Sequence, residues 1–348
     1  MKMKNYSRLL IVVFVLMLMA SLSAQRRVEL TGAGATFPYP LYNRMFEDYH
    51  QQTGVRVNYQ GIGSGGGIRQ LFSKTVDFGG TDAIVGPDRM AEADGEIIHI
   101  PICLGAVVVT YNIPGNPTLK MTSDIITDIY LGKITLWSDD RIKSLNPGVN
   151  LPDLNIAVVR RSDGSGTTSI FSNYLSKVSS EWKEKVGEGT SLNWPIGLGA
   201  RGNPGVAGMV QQLPGSIGYV ELIYAMSNNL PYAHIQNKSG NYIEPTINSV
   251  SLSANVTLPD DTMVSLTNTD AAQGYPISGF TWIILYKEQN YGRRSREQAL
   301  ETKKLLEWMI GDGQKHAEPL HYAPLSTEAV KKAQALLKSI TFDGRKLP

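Results

Sequence analysis

Ile156-Ala157-Val158-Val159-Arg160-Arg161-Ser162-Asp163-Gly164-Ser165-Gly166-Thr167-Thr168-Ser169 reads as a buried strand, then a turn of glycines and hydroxyls, then a helix that starts near Ser169. The apolar run to Val159 is short and β-branched, as an interior strand is, and Gly164 and Gly166 end it. Strand, Gly/Ser turn and helix form the unit from which α/β folds are wound. The unit also has a chemistry of its own. The first N–H groups of a helix have no partner inside the helix, and with the helix dipole they attract anions. Glycine lets the backbone approach a ligand, and Ser and Thr add hydroxyl donors.

The same character recurs upstream. Thr31-Gly32-Ala33-Gly34-Ala35-Thr36-Phe37-Pro38 leads into a helix. Gly61-Ile62-Gly63-Ser64-Gly65-Gly66-Gly67 follows the alternating strand Val55–Tyr59, and Asp77-Phe78-Gly79-Gly80-Thr81-Asp82-Ala83 is a third such segment, again read as a turn after a strand. One Gly-rich turn says little, because such turns join strands to helices everywhere. Several in one chain, two of them ending in hydroxyl runs, point to an oxyanion site. Around them, helix Leu41–Gln52 is closed by Gly54, Ala106–Tyr111 and Ile277–Tyr286 read as buried strands, and helices are expected over Ser295–Ile310 and Thr327–Ile340. Residues 228–275 are polar and poorly periodic, and are expected to be loops and irregular strands.

The chain has 348 residues, with 42% apolar and 18% charged residues. That length is enough for two ordinary domains. Its first residues follow the plan of an export leader: Lys2, Lys4 and Arg8, then the apolar run Leu9–Ala20, then Ser21-Leu22-Ser23-Ala24. The apolar run is shorter than the ~17–25 residues a membrane span needs. Cleavage is expected near Ala24, without lipidation, since no Cys follows the run. Removal of residues 1–24 leaves 30 basic against 31 acidic residues, a net charge of −1. Such a chain has no long-range field to gather nucleic acid or anionic membrane, so an anion must be held by local groups. Cys103 is the one cysteine, set between Ile102 and Leu104; it is expected to be buried and inert. The five His show no metal-ligand spacing, and neither a metal nor a cofactor is expected.

Other sites fit less well. Gly61-Ile62-Gly63-Ser64-Gly65-Gly66 matches G-x-G-x-x-G, with Asp82 near the spacing of a ribose-binding acid, but an export leader argues against a cytoplasmic nucleotide enzyme. Asp163–Thr167 lacks the Lys of a phosphate-binding loop, Ser165 lacks the Gly of a nucleophile elbow, and no His is placed to serve it.

Taken in order, Leu30–Pro38, Asn58–Ser64, Val76–Gly79, Ile129–Ile134, Ala157–Arg161, Asp163–Thr167, Trp194–Gly199 and Pro214–Val220 resemble the periplasmic phosphate-binding protein of the phosphate-specific ABC importer. The resemblance runs from about residue 29 to 225, resumes near 275, and is thin across 228–275. It implies a two-lobed periplasmic binding protein fold of type II, with the ligand in a cleft between lobes joined by two hinge crossovers. One lobe would combine residues 25–105 with 275–348 and the other span 106–274, the crossovers lying near Gly105 and Gly274. By matching motif, the phosphate contacts would be Thr36, the backbone of Phe37, Ser64, Asp82, Arg161, Ser165, Gly166 and Thr167, with Asp163 orienting Arg161. Gly65 departs from relatives that carry a second Ser, so no side-chain contact is assigned there.

The residues make chemical sense in those roles. Arg161 carries a permanent charge and a planar fork for oxyanion oxygens, and Asp163 can hold its plane. Asp82, a carboxylate beside an anion, becomes useful when the ligand has a proton to give: phosphate has one at neutral pH and sulfate has none. The expected partners are inorganic phosphate and the membrane permease of an ABC importer, for a periplasmic monomer that is not an enzyme and binds no nucleic acid. The rivals are a binding protein for another oxyanion, an exported phosphate-processing enzyme, and a surface protein with a vestigial fold.

Overall fold

The computed structural model describes residues 28–348; the leader read over 1–24 lies outside them. The described chain opens with β1 (Glu29–Gly34), α1 (Tyr39–Thr53), β2 (Arg56–Gly61), α2 (Ser64–Phe72) and β3 (Phe78–Thr81). β1 pairs in parallel with β2 on one side and β3 on the other. In α1 the buried positions Leu41, Tyr42, Met45, Phe46 and Tyr49 lie on one face, as a helical period requires. Gly54 ends the helix in the left-handed region at φ 76°, its N–H bonded to His50 O, a conformation that glycine adopts without steric cost.

Two long strands follow, β4 (Ile97–Tyr111) and, late in the chain, β8 (Ser278–Tyr286), and every residue of both is buried. Between them come β5 (Ala157–Arg161), α3 (Gly166–Val178), β6 (Leu198–Ala200), α4 (Gly202–Gln212), β7 (Ser216–Glu221) and α5 (Ile247–Ser253). The sheet order is β2-β1-β3-β8-β4-β7-β5-β6. β4 joins the two halves. Up to Ala106 it runs antiparallel to β8, and from Val107 to Tyr111 it runs antiparallel to β7. β8 begins beside this change of partner, where Val107 N–H donates to Ile277 O at 2.9 Å. Strands buried on both faces read as apolar runs, which made β8 and the Ala106–Tyr111 part of β4 visible in the sequence; β4 in fact reaches back to Ile97, across His99 and Pro101. The chain closes with α6 (Arg296–Ile310), capped by Ser295, and α7 (Thr327–Lys338), capped by Ser326. Among the described residues no helix is long and apolar enough to cross a membrane.

The structure corrects three expectations. The glycines of Thr31–Gly34 and Phe78–Thr81 are not turns but the strands β1 and β3 themselves. Their lack of side chains serves packing: a Cβ on Gly34, at φ 148°, would collide with Gly80 O, the close backbone approach that a strand glycine permits. The helix expected from Ser169 begins at Gly166, which makes Ser165 its cap. The polar stretch 228–275 holds short strands at His234–Gln236 and Tyr242–Ile243 but also α5, closed at its start by a Thr246–Ser249 capping box. Its seven residues are too few to display a period.

Candidate functional site

Arg161 ends β5 with its side chain buried and turned onto Asp163, two residues on. Nε donates to Asp163 Oδ1 at 2.8 Å and Nη2 to Oδ2 at 2.6 Å. This two-pronged grip fixes the guanidinium plane. Asp163 Oδ1 also accepts Gly202 N–H at 3.0 Å. Burial alone would raise the Asp163 carboxyl, but the hydrogen bonds and charge of Arg161, with Gly202 N–H, hold it below the usual carboxylate range. Asp163 thus occupies one edge of the fork. Nη1, on the other edge, reaches Thr167 Oγ1 at 3.3 Å. Behind the pair, Tyr219 OH accepts Arg161 N–H at 3.2 Å and meets Thr168 Oγ1 at 2.7 Å. The Tyr219 ring stacks on Phe171, 4.4 Å between centroids, so β5 and α3 share one rigid backing.

Ser165 caps α3 by accepting Thr168 N–H at 3.0 Å, the usual role of a serine at that position. The next N–H, of Gly166, crosses to the other half of the sheet and donates to Ser64 Oγ at 3.1 Å. Ser64 is the first residue of α2, and its Oγ also accepts Asp82 N–H at 3.2 Å. Both lone pairs of that hydroxyl are therefore filled, and its proton points toward Asp82 Oδ2, 3.5 Å away. Gly65 N–H bonds Gly164 O at 2.9 Å, so the two glycine turns touch through backbone. Gly166 has an ordinary backbone conformation but no room: a Cβ there would lie 2.5 Å from both Asp82 Oδ2 and Ser64 Oγ.

Asp82 follows β3 and is 3% exposed. Its Oδ1 accepts the Thr281 hydroxyl at 2.9 Å. Burial pushes its pKa up to about 7, against the lowering effects of the Thr281 hydrogen bond, the Arg161 charge and the Ser64 hydrogen bond. Read from sequence, Asp82 was a plain carboxylate; near neutrality, burial instead leaves it poised between its two forms.

Thr36 and Phe37 sit in the turn between β1 and α1. Three successive carbonyls there are held by tyrosine hydroxyls: Ala35 O by Tyr59 at 3.0 Å, Thr36 O by Tyr224 at 2.6 Å and Phe37 O by Tyr322 at 2.7 Å. Across a trans peptide the next N–H points opposite to the carbonyl. The hydroxyls of Tyr59 and Tyr224 therefore turn the N–H groups of Thr36 and Phe37 the other way, and neither finds an acceptor among the described residues. Thr36 Oγ1 accepts from Asn203, N–H at 3.1 Å and Nδ2 at 3.0 Å, and Asn203 Nδ2 also reaches Thr167 Oγ1 at 3.1 Å.

Two hydrogen-bonded sets meet where Gly166 adjoins Thr167 in the chain: Thr36, Arg161, Asp163 and Thr167 with Asn203, and Ser64, Asp82 and Gly166 with Thr281; Phe37 and Ser165 are chain neighbours of their members. Gly166 N–H, read as an anion donor, is given to Ser64 Oγ. The sequence reading missed Asn203, Thr281 and the three tyrosines. Asn203 carried a faint signal, since Arg201-Gly202-Asn203-Pro204-Gly205 is one more Gly-rich helix start, with Gly202 at φ 71°. Among the described residues no group of three or more His, Cys, Asp or Glu could hold a metal ion.

A model of the PBP superfamily domain matches residues 20–312. Phosphate-binding protein PstS of Xylella fastidiosa strain 9a5c is 43% identical over 317 residues, which cover 89% of this chain and 85% of that protein. The protein of the same name from Pasteurella multocida is 41% identical over 315 residues, covering 89% and 90%. A high-affinity periplasmic phosphate-binding protein, PfluDING, solved with phosphate bound, superposes with a TM-score of 0.73 at 21% identity over 92% of this chain and all of that one. An ABC-type phosphate transport receptor from Vibrio cholerae gives a TM-score of 0.55 at 19% identity over 85% and all. These likenesses to solved structures speak for the fold.

Proposed function

The chain belongs to the PBP superfamily and, within it, to the phosphate-binding proteins, and from that premise we propose that it captures inorganic phosphate in the periplasm and delivers it to the permease of an ABC importer. The observation that carries this reading is the pairing of opposites among adjoining buried groups. A buried arginine, braced along one edge by Asp163, shares the site with hydroxyl and N–H donors and with a single buried carboxyl. Donors and one cation suit an oxyanion, and the lone acceptor suits an oxyanion that still has a proton.

In this reading Arg161 offers its remaining edge to phosphate oxygens. The hydroxyls of Thr36, Ser165 and Thr167 and the N–H of Phe37 donate to the others, and Ser64 joins them by swinging its one proton from Asp82 to the anion. The Gly166 N–H is placed to be shared between Ser64 and the ligand. Asp82 Oδ2 and a phosphate oxygen hold one proton between them. Residues 25–105 with 275–348 would move as one lobe and 106–274 as the other, about crossovers near Gly105 and Gly274, closing on the anion. The protein would work as a monomer, without cofactor or nucleic acid, after loss of the leader 1–24. An exported phosphatase is disfavoured because among the described residues no His hydrogen-bonds a site hydroxyl: His99 is paired with Val85 N–H, His50 with Val55 O and His316 with Asp48.

The test is calorimetric titration of the exported protein, freed of phosphate by exchange, with phosphate and then sulfate slightly above neutral pH. Tight phosphate binding with little sulfate heat is expected. Equal binding of both would leave an oxyanion carrier without the role given to Asp82, and binding of neither would overturn the assignment.

A further inference from the structure

We propose that Asn203 is a positioning residue that turns the hydroxyls of Thr36 and Thr167, one from each half of the site, into donors aimed at the bound anion. The inference rests on the phosphate reading above.

Asn203 lies in the first turn of α4 and is fully buried. Its Oδ1 accepts the backbone N–H of Glu221, the last residue of β7, at 3.0 Å. A backbone N–H needs an acceptor, so this contact fixes which end of the amide is oxygen. The NH2 end then faces two hydroxyl oxygens, Thr36 Oγ1 at 3.0 Å and Thr167 Oγ1 at 3.1 Å. Each of those oxygens meets a second donor. Asn203's own N–H reaches Thr36 Oγ1 at 3.1 Å, and Arg161 Nη1 reaches Thr167 Oγ1 at 3.3 Å.

A threonine hydroxyl has two lone pairs and one proton. Here both lone pairs of both hydroxyls are taken by N–H donors that cannot accept in return. The one bond left to each is the donation of its own O–H. Without Asn203 either hydroxyl could rotate and present a lone pair to an incoming anion, which repels it. With Asn203 in place that orientation is occupied. The same amide binds a hydroxyl that follows β1 and another in α3, so the two donors are set together when the halves meet. Asn203 need not touch the ligand: it acts through the two threonines.

The test is a double-substitution cycle on the exported protein freed of phosphate: Asn203→Ala, Thr36→Val, and both. Phosphate affinity is read by calorimetric titration, and the unfolding midpoint is read without ligand. Asn203→Ala should weaken phosphate roughly ten- to hundredfold, the value of hydrogen bonds to a charged ligand. Combined with Thr36→Val it should weaken phosphate by clearly less than the product of the two single effects, because half of its action runs through that hydroxyl. If the alanine variant does not fold, Asn203→Leu takes its place. It fills the volume without a charge while removing the NH2 donor, and the same coupling to Thr36→Val is expected. Effects that multiply fully overturn the proposal. So does a variant whose midpoint falls while its phosphate affinity stays within about twofold of the parent, the mark of a purely structural tie. Loss of binding in the parent itself would instead sink the phosphate reading beneath it.

Discussion

Sulfate and phosphate should respond to pH differently, and Asp82 sets the difference. Burial lifts this carboxyl to about 7, so at pH 7 about half of the molecules carry a proton there before any ligand arrives. Phosphate brings a proton of its own at that pH. Sulfate brings none, so it can be held only where Asp82 is already protonated. The sulfate association constant then follows the protonated fraction, which falls from about one half at pH 7 to about one hundredth at pH 9, roughly a fiftyfold loss. From pH 7 down to pH 5 the gain is only about twofold, because the fraction saturates. Phosphate is chiefly the monoprotonated dianion above neutrality, and its affinity should change little between about pH 7.5 and 9. Asp82 also lines a cavity of about 270 Å³ with Ser169, Ile170 and Gly279. Titrations with each anion at constant ionic strength read the two curves. In Asp82→Asn the sulfate curve should go flat and the gap between the anions should narrow. A parent sulfate constant that stays level from pH 7 to 9, or a phosphate constant that falls alongside it, would refute the shared-proton role.

Two further outcomes follow from the same geometry. In Gly166→Ala the new methyl meets Asp82 Oδ2 and Ser64 Oγ at 2.5 Å. Phosphate affinity should fall at least about a hundredfold while the ligand-free unfolding midpoint drops by only a few degrees, and retained affinity in titration would show that these groups do not pack so closely. Asp82 also weighs on stability. Its folded pKa of about 7 stands above the ordinary 3.8. The stabilisation from its tighter proton is therefore complete below about pH 4 and is lost as pH rises through about 7. Asp82→Asn should then make the phosphate-free protein more stable than the parent by up to ~4 kcal/mol at pH 8. At pH 4 that difference should shrink toward zero in urea denaturation, and an equal difference at both pH values would contradict the raised pKa. Glu221 is also buried and raised, chiefly by burial, which is common to both proteins; the charge of Asp82 is a lesser cause that the substitution removes.

How much was legible from sequence depended on what lies close in the chain. Arg161 and Asp163 are two residues apart at the end of a strand, so their pairing could be read directly. The buried strand β8 and the Ala106–Tyr111 part of β4 announced themselves as apolar runs, while Ile97–Gly105, broken by His99 and Pro101, did not. The glycines of β1 and β3 misled, because a glycine that makes room for a neighbouring strand looks like a glycine that makes a turn. Gly34 is required by the approach of Gly80 O, a neighbour set by β-sheet register. The helix α5 escaped because seven residues rich in Ser carry no period.

The misses within the site have a common cause. The groups assigned to the ligand under the proposed function sit in short Gly- and hydroxyl-rich segments, which composition marks. The groups that aim them come from distant chain and have no composition of their own. Thr281 reaches Asp82 from β8, on the strand that pairs with β3. Tyr224 and Tyr322 reach the carbonyls of Thr36 and Phe37 from far down the chain. In isolation each is a tyrosine in an apolar stretch, with nothing to separate it from a core residue. Yet the direction of an N–H is fixed only when the carbonyl on the other side of its peptide plane is held. A Gly-rich turn free to rotate would present carbonyls to an anion as readily as amides. What turns the N–H groups of Thr36 and Phe37 into donors is the pair of hydroxyls behind them, Tyr59 on Ala35 O and Tyr224 on Thr36 O. The specificity of the site is therefore a property of those supports as much as of the segments that the sequence marks, and substitutions there should cost affinity without touching the ligand.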